Sequence, residues 1–268
     1  MPILQHQKHL RSLISEINPM LPNTNLQIEL FVLCFNEAKM IRHTLNYYSR
    51  ICSKITVINN QSTDDSIQLA SNFKNVKIKS LDSGNEFIED VLTESRNNCW
   101  KGSTADYVIV CDMDEFLYDD HLIEKLLLAK SQRIAIPMIV GYNMMSPEFP
   151  VNYEKLITEQ VKHGVKSCRF DKNIIFDPKR VKDINYRPGA HICYPEFYEG
   201  IIVEPLMELK LLHYKYLGRD YLYTKHEGYV NRMSDISREK RHGYEYLDGN
   251  DHVDRVFDSS NHLTQIIN

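Results

Sequence analysis

Apolar residues recur along this chain in short blocks, and most blocks close on a polar cluster. Residues 3–18 (ILQHQKHLRSLISEIN) space Leu4, Leu10, Leu13, Ile14 and Ile17 on one side, which predicts an amphipathic helix. PMLPNTN then breaks it. LQIELFVLCFNE reads as a strand, apolar on both faces toward its end, as a buried parallel strand should be. A helix is predicted from Glu37 to Ser49, a second strand at KITVINN, and a turn at QSTDDS that caps a helix from Asp64 to Asn72. VKIKSL is a third strand, residues 85–100 a helix, and ADYVIVCD a fourth strand. A helix over 120–130 and a strand RIAIPMIV follow.

Strand and helix thus alternate to about residue 140, the pattern of a doubly wound, mostly parallel α/β sheet. Ligands of such sheets bind beyond the carboxyl ends of the strands. Three polar clusters fall at those ends, at 34–37, 59–65 and 111–115, and are expected to converge on one crevice.

Past residue 140 the pattern changes. VGYNMMSPEFPVNY reads as a loop, CRFDKNIIFDP as a hairpin, and GAHICYPEFYEG as irregular. LMELKLLHY is a strand ending near His213, and 218–247 reads as helical with a break near Met233 to Ser237. One compact α/β unit is expected over 28–217, preceded by a helix and linker at 1–27 and followed by a helical cap at 218–268.

Composition narrows the class. Hydrophobic residues make up 43% of the 268, enough for a sizeable core. A net charge of −4 gives no reason to expect a nucleic-acid partner. The six cysteines form no CxxC or Cys/His cluster, which argues against zinc and fits a reducing, cytoplasmic setting. The first 25 residues lack a signal-type apolar core, and no apolar run nears the roughly 18 residues of a membrane span. Peripheral membrane contact through the N-terminal helix stays open.

The chemistry concentrates in YVIVCDMDEFLY, where Asp112, Asp114 and Glu115 follow a buried strand. Carboxylates this close repel, so a cation is the expected compensation. In an extended chain residues i and i+2 share a side, so Asp112 and Asp114 can meet one hard ion, Mg²⁺ or Mn²⁺. His213, at a strand end before a basic, Tyr-rich segment, is a further candidate ligand that shifts the preference toward Mn²⁺. Asn60 and Asp64 are candidates for a base or ribose, or simply a turn and helix cap. Arg96, beside Asn97 in ESRNNCW, is a candidate to stack on a base or hold phosphate.

Together these clusters resemble the family 2 glycosyltransferases of the GT-A fold, within the nucleotide-diphospho-sugar transferase superfamily. The carriers are VLCFNEAKMI, INNQSTDDS and SRNNCWKGSTADYVIVCDMDEF, in matching order over about residues 28–118. HYKYLGRDYLYTKHEG resembles an element of some branches in which the histidine completes the metal site. The sequence departs from the family at Asn59, where an Asp is usual, at Gln61, and in lacking a clear acidic pair after residue 140.

The resemblance implies transfer of a sugar from a nucleotide-diphosphate donor, a UDP-sugar favoured, to a glycan, lipid-linked or protein acceptor. It implies a nucleotide-binding half at about 28–118 and an acceptor half at about 119–217. Asp114 and His213 would hold the metal, and Asp112 the ribose or a metal-bound water. Asn36, Glu37, Asn60, Asp64, Arg96 and Asn97 would frame the nucleoside, and Lys172 and Lys225 would reach the diphosphate or acceptor. An inverting reaction needs a base, for which His191, Glu199, Glu148 and Glu115 are the candidates. The rival readings are a nucleotidyltransferase or other metal-dependent nucleotide enzyme, against which the glycine-free CFNEAKMIRH counts, and a non-catalytic nucleotide-sugar binder.

Overall fold

The computed structural model describes residues 26–198, 208–247, 249–258 and 263–267. The helix expected over 3–18 and the candidate base Glu199 lie outside them.

β1 (Ile28–Cys34), β2 (Lys54–Asn59), β3 (Val76–Ser80) and β4 (Tyr107–Asp112) form a parallel sheet in the order β3-β2-β1-β4. β1 is central, with Leu30 level with Ile55 on one side and Ile109 on the other. Both faces are covered at β1, β2 and β4, which is why these strands read as nearly unbroken apolar runs, while the edge strand β3 alternates as VKIKS with exposed lysines. Leu30, Val32, Ile55, Val57, Ile109 and Cys111 enter one core. Phe31, Ile58, Val108 and Val110 enter another with Trp100 and Phe176. Helices α1 (Ile41–Tyr48), α2 (Ser66–Ala70) and α4 (Leu122–Ser131) pack on the first core, and α3 (Glu89–Asn98) leads to Trp100 in the second. The mixed α/β architecture, a mostly parallel central sheet flanked by helices, is the one expected.

The chain leaves this sheet at the aspartates. β4 ends at Asp112, and β5 (Glu115–Tyr118) begins after a two-residue turn and joins a second sheet. That sheet also contains β6 (Met138–Ser146), β7 (His163–Lys166), after a short helix α5 (Ile157–Gln160), and β11 (Glu208–Leu217). Hydroxyls from α1 fix the turn. Thr44 donates to Met113 O at 2.6 Å, and Tyr48 donates to Glu115 O and accepts from Leu117 N, each at 2.9 Å. Tyr47 donates to Leu117 O at 2.6 Å. These tyrosines hold buried backbone.

Several expectations are corrected. β6 starts at Met138, so Ile134 to Ile136 are buried without being strand, and it runs through the stretch read as a loop. Within this strand Phe170 crosses Gly141 so closely that a Cβ would lie 2.3 Å from the Phe170 carbonyl carbon. CRFDKNIIFDP is not a hairpin; it makes a 3₁₀ turn (Cys168–Phe170), then β8 (Ile175–Phe176) pairs antiparallel with β4. β5 went unpredicted because its acidic start hides a four-residue strand.

β9 (Val181–Asp183) and β10 (Glu196–Phe197) form a small ribbon. After β11 come α6 (Arg219–Arg232), α7 (Asp235–Glu239), α8 (Tyr244–Leu247) and α9 (Gly249–Asp258), then β12 (Thr264–Gln265) beside β7. The break falls at Met233, where the backbone turns extended and Ser234 caps α7. α6 is tied back to the segment after β3: Phe87 N donates to Arg232 O at 2.7 Å, and Arg232 Nε to Asn85 O at 3.0 Å.

Candidate active site

The carboxyl ends of β1 and β4, the turn between β4 and β5, and one side of α6 enclose a cavity of about 360 Å³. Such a volume suits a small-molecule ligand. Asp112, Asp114, Glu115 and His213 line it, as do Glu37, Asn60, Lys172, His191 and Lys225.

Sheet register builds the deepest part. His213 on β11 lies level with Asn143 on β6 and with Glu115 on β5. Asn143 Oδ1 is 2.9 Å from His213 Nδ1, which therefore donates and leaves the lone pair on Nε2. Phe170 stacks on the imidazole, 3.9 Å between centroids. Burial depresses the His213 pKa to about 3, against the pull of Asp114, so the ring is neutral at ordinary pH. Its Nε2 is 3.8 Å from Asp114 Oδ2, and both side chains are only 7% exposed.

Lys225 Nζ lies between two carboxylates, 2.7 Å from Asp114 Oδ2 and 2.9 Å from Glu37 Oε1. Burial alone would raise Asp114, but Lys225 and then His213 overcome it and hold the carboxyl well below the usual range. Glu37 goes the other way. Burial pushes it up to about 7, because one ammonium cannot fully compensate two buried carboxylates.

Asp112 is set by two struts. Arg96 donates to Asp112 Oδ1 and to Glu89 Oε1, each at 2.9 Å, and Glu89 Oε1 also accepts from Gly189 N at 2.7 Å. Glu115 accepts from Asp112 N at 3.1 Å through one oxygen and from Lys172 through the other. Burial would raise Asp112; Arg96 and Lys172 lower it instead.

These contacts revise several expected roles. Arg96 is buried with both terminal nitrogens engaged, so it positions Asp112 rather than stacking on a base. Glu115 has both oxygens engaged, one by Lys172 and the other by Asp112 N, which suits a brace and not a base. Lys172 is likewise committed to Glu115 rather than extended toward a diphosphate. Asn97 bonds the Tyr186 backbone at both ends, and it is absent from the cavity wall. Asn36 and Asp64 tie the loops after β1 and β2 together, Asn36 to Thr63 and Asp64 to Ala38 N and Ser66. Glu148 is exposed and does not line the cavity. Asn60 does line it, accepting from Ser83 Oγ at 2.7 Å.

Asn143, Phe170 and Glu89 went unpredicted, for nothing in their local sequence marks them. Arg232, 3.5 Å above the Phe35 ring on the cavity wall, was hidden in a helical stretch for the same reason.

Asp114 Oδ2 and His213 Nε2 fit a divalent cation. Their separation is less than twice a bond of about 2.1 Å, and Asn143 fixes the tautomer that leaves the lone pair on Nε2. Among the described residues no three His, Cys, Asp or Glu side chains form a complete metal cage. Two protein donors with substrate phosphates is the usual arrangement for such ions.

Residues 30–187, more than half of the chain, match the model of glycosyl transferase family 2. The chain belongs to that family. No curated protein matches it. Solved structures similar to this family 2 chain include S. aureus TarS 1–349, at 14% identity and a TM-score of 0.43, covering 88% of this chain and 73% of that one. Another is glucosyl-3-phosphoglycerate synthase from Mycobacterium tuberculosis, in complex with Mn²⁺, UDP and glucosyl-3-phosphoglycerate. It has 15% identity and a TM-score of 0.32, and the match covers 44% of each chain. No helix among the described residues of the family 2 chain is long and apolar enough to cross a membrane.

Proposed function

We propose that this family 2 chain transfers a sugar from a nucleotide-diphosphate donor, a UDP-sugar favoured, to an acceptor hydroxyl of a glycan, lipid-linked oligosaccharide or protein. The observation that carries this is the pairing of Asp114 Oδ2 with the lone-pair nitrogen of His213 at the floor of the cavity. Asp114 and His213 are the residues that would hold Mn²⁺ or Mg²⁺. When bound, such an ion supplies positive charge that stabilises the departing diphosphate. Asp112, steadied by Arg96 and Glu115, is offered to the ribose or to water beside the ion. Asn60 and the Arg232–Phe35 pair frame the nucleoside side of the cavity.

His191 is the base that the geometry favours. Its Nδ1 is 2.9 Å from Arg169 O and so donates, leaving Nε2 as acceptor. Burial, then Lys172, lowers it to about 4, so the ring is neutral at ordinary pH with Nε2 unprotonated. In the inverting reaction the acceptor oxygen attacks the anomeric carbon as its proton passes to His191 Nε2. The bond to the diphosphate breaks, and its electron pair leaves with the nucleotide.

The test is a transfer assay over a panel of UDP-sugars with and without Mn²⁺. Asp114→Asn and His213→Asn should each cost at least about 100-fold in kcat. Full activity in Asp114→Asn refutes the reading.

A further inference from the structure

Lys225 stands on the same carboxylate oxygen that the proposed metal needs. Its Nζ is 2.7 Å from Asp114 Oδ2, and the other candidate ligand, His213 Nε2, is 3.8 Å from that oxygen. The lysine is anchored from behind by Glu37 at 2.9 Å and packs over the Tyr221 ring at 5.7 Å. It belongs to α6, the helix whose far end carries Arg232 over Phe35. An ammonium and a divalent ion on one oxygen repel each other strongly in a buried site. They cannot both be held there without further negative charge.

We propose that Lys225 is a tethered counter-ion that competes with the divalent metal for Asp114, so that metal and anionic donor enter together. This rests on the metal reading above and adds the order of assembly. Without ligand, Lys225 compensates Asp114 and latches α6 over the cavity. Metal alone must displace the ammonium and gains nothing to compensate it beyond Glu37. Metal arriving with a diphosphate brings negative charge that takes over the ammonium, so α6 stays closed on the donor.

The test is calorimetric titration of Mn²⁺ into the full-length protein without nucleotide, comparing wild type with Lys225→Met. The proposal expects the variant to bind Mn²⁺ at least tenfold more tightly. Equal or weaker binding in the variant overturns it. No uptake in either protein, even with UDP added, overturns the metal reading as well. A folding defect in Lys225→Met is bypassed by hydrogen exchange on the wild type. At Mn²⁺ concentrations that the calorimetry shows to saturate the nucleotide-free protein, amides of 219–232 should exchange faster and return to their ligand-free rate when UDP is added. Exchange that Mn²⁺ leaves unchanged, while Mn²⁺ with UDP still binds, overturns the latch alone.

Discussion

Arg96 joins Asp112, the last residue of β4, to Glu89 on the opening turn of α3, with both contacts at 2.9 Å. Arg96 and Glu89 are both buried, so the guanidinium compensates charge that water cannot reach. Burial would lower the pKa of Arg96, but Asp112 and then Glu89 raise it further, so the cation is permanent.

Removing that cation should therefore be costly. Arg96→Met leaves Glu89 buried without its partner and should lose about 3–5 kcal/mol in a denaturant melt. Arg96→Lys keeps the charge but has no planar fork to reach both carboxylates. It should recover part of the stability while still raising the KM for the donor, because Asp112 is no longer set.

Gly141 tests the packing behind the histidine. A Cβ there would meet the Phe170 backbone at 2.3–2.4 Å, and Phe170 is the ring stacked on His213. Gly141→Ala should cost about 1–3 kcal/mol by overpacking, measured by chemical denaturation. It should also weaken Mn²⁺ binding in the presence of UDP, since the imidazole loses its support.

Stability should depend on pH with a sign set by buried His213 and half-buried His191. His213 and His191 are lowered from 6.5 to about 3 and about 4, so unfolding takes up protons below about pH 6.5. Their contribution is present above pH 6.5 and is lost as pH falls toward 4. Glu37, raised from 4.5 to about 7, acts oppositely, adding stability at low pH that is lost as pH rises through 7. Two histidines outweigh one carboxyl, so urea midpoints should fall on acidification from 6.5 to 4. Glu37→Gln should steepen that fall, and His191→Asn should flatten it.

The parallel sheet was legible in the sequence because β1, β2 and β4 are nearly continuous apolar blocks with polar stops, as covered faces demand, while the edge strand β3 alternates as VKIKS. Of the second sheet, only β11 and the start of β6 were legible. β5 has four residues and starts on a buried glutamate, and β6 contains the glycine that Phe170 requires. Four residues are too few for β5 to stand out, only the start of β6 was read as strand, and pairing with β11 extends the ladder through both.

The sequence by itself determined the alternation of strand and helix, the polar clusters at the strand ends, and the two aspartates as the place where charge needs compensation. These follow from period and composition, which are local. Only the tertiary structure decided which side chains line the cavity and which are tied to one another. Asn143, His213 and Glu115 are distant in sequence and become neighbours through strand register. Lys225 reaches Asp114 from a helix 111 residues away. Electrostatic compensation in a buried site depends on distance in space, which no local pattern encodes.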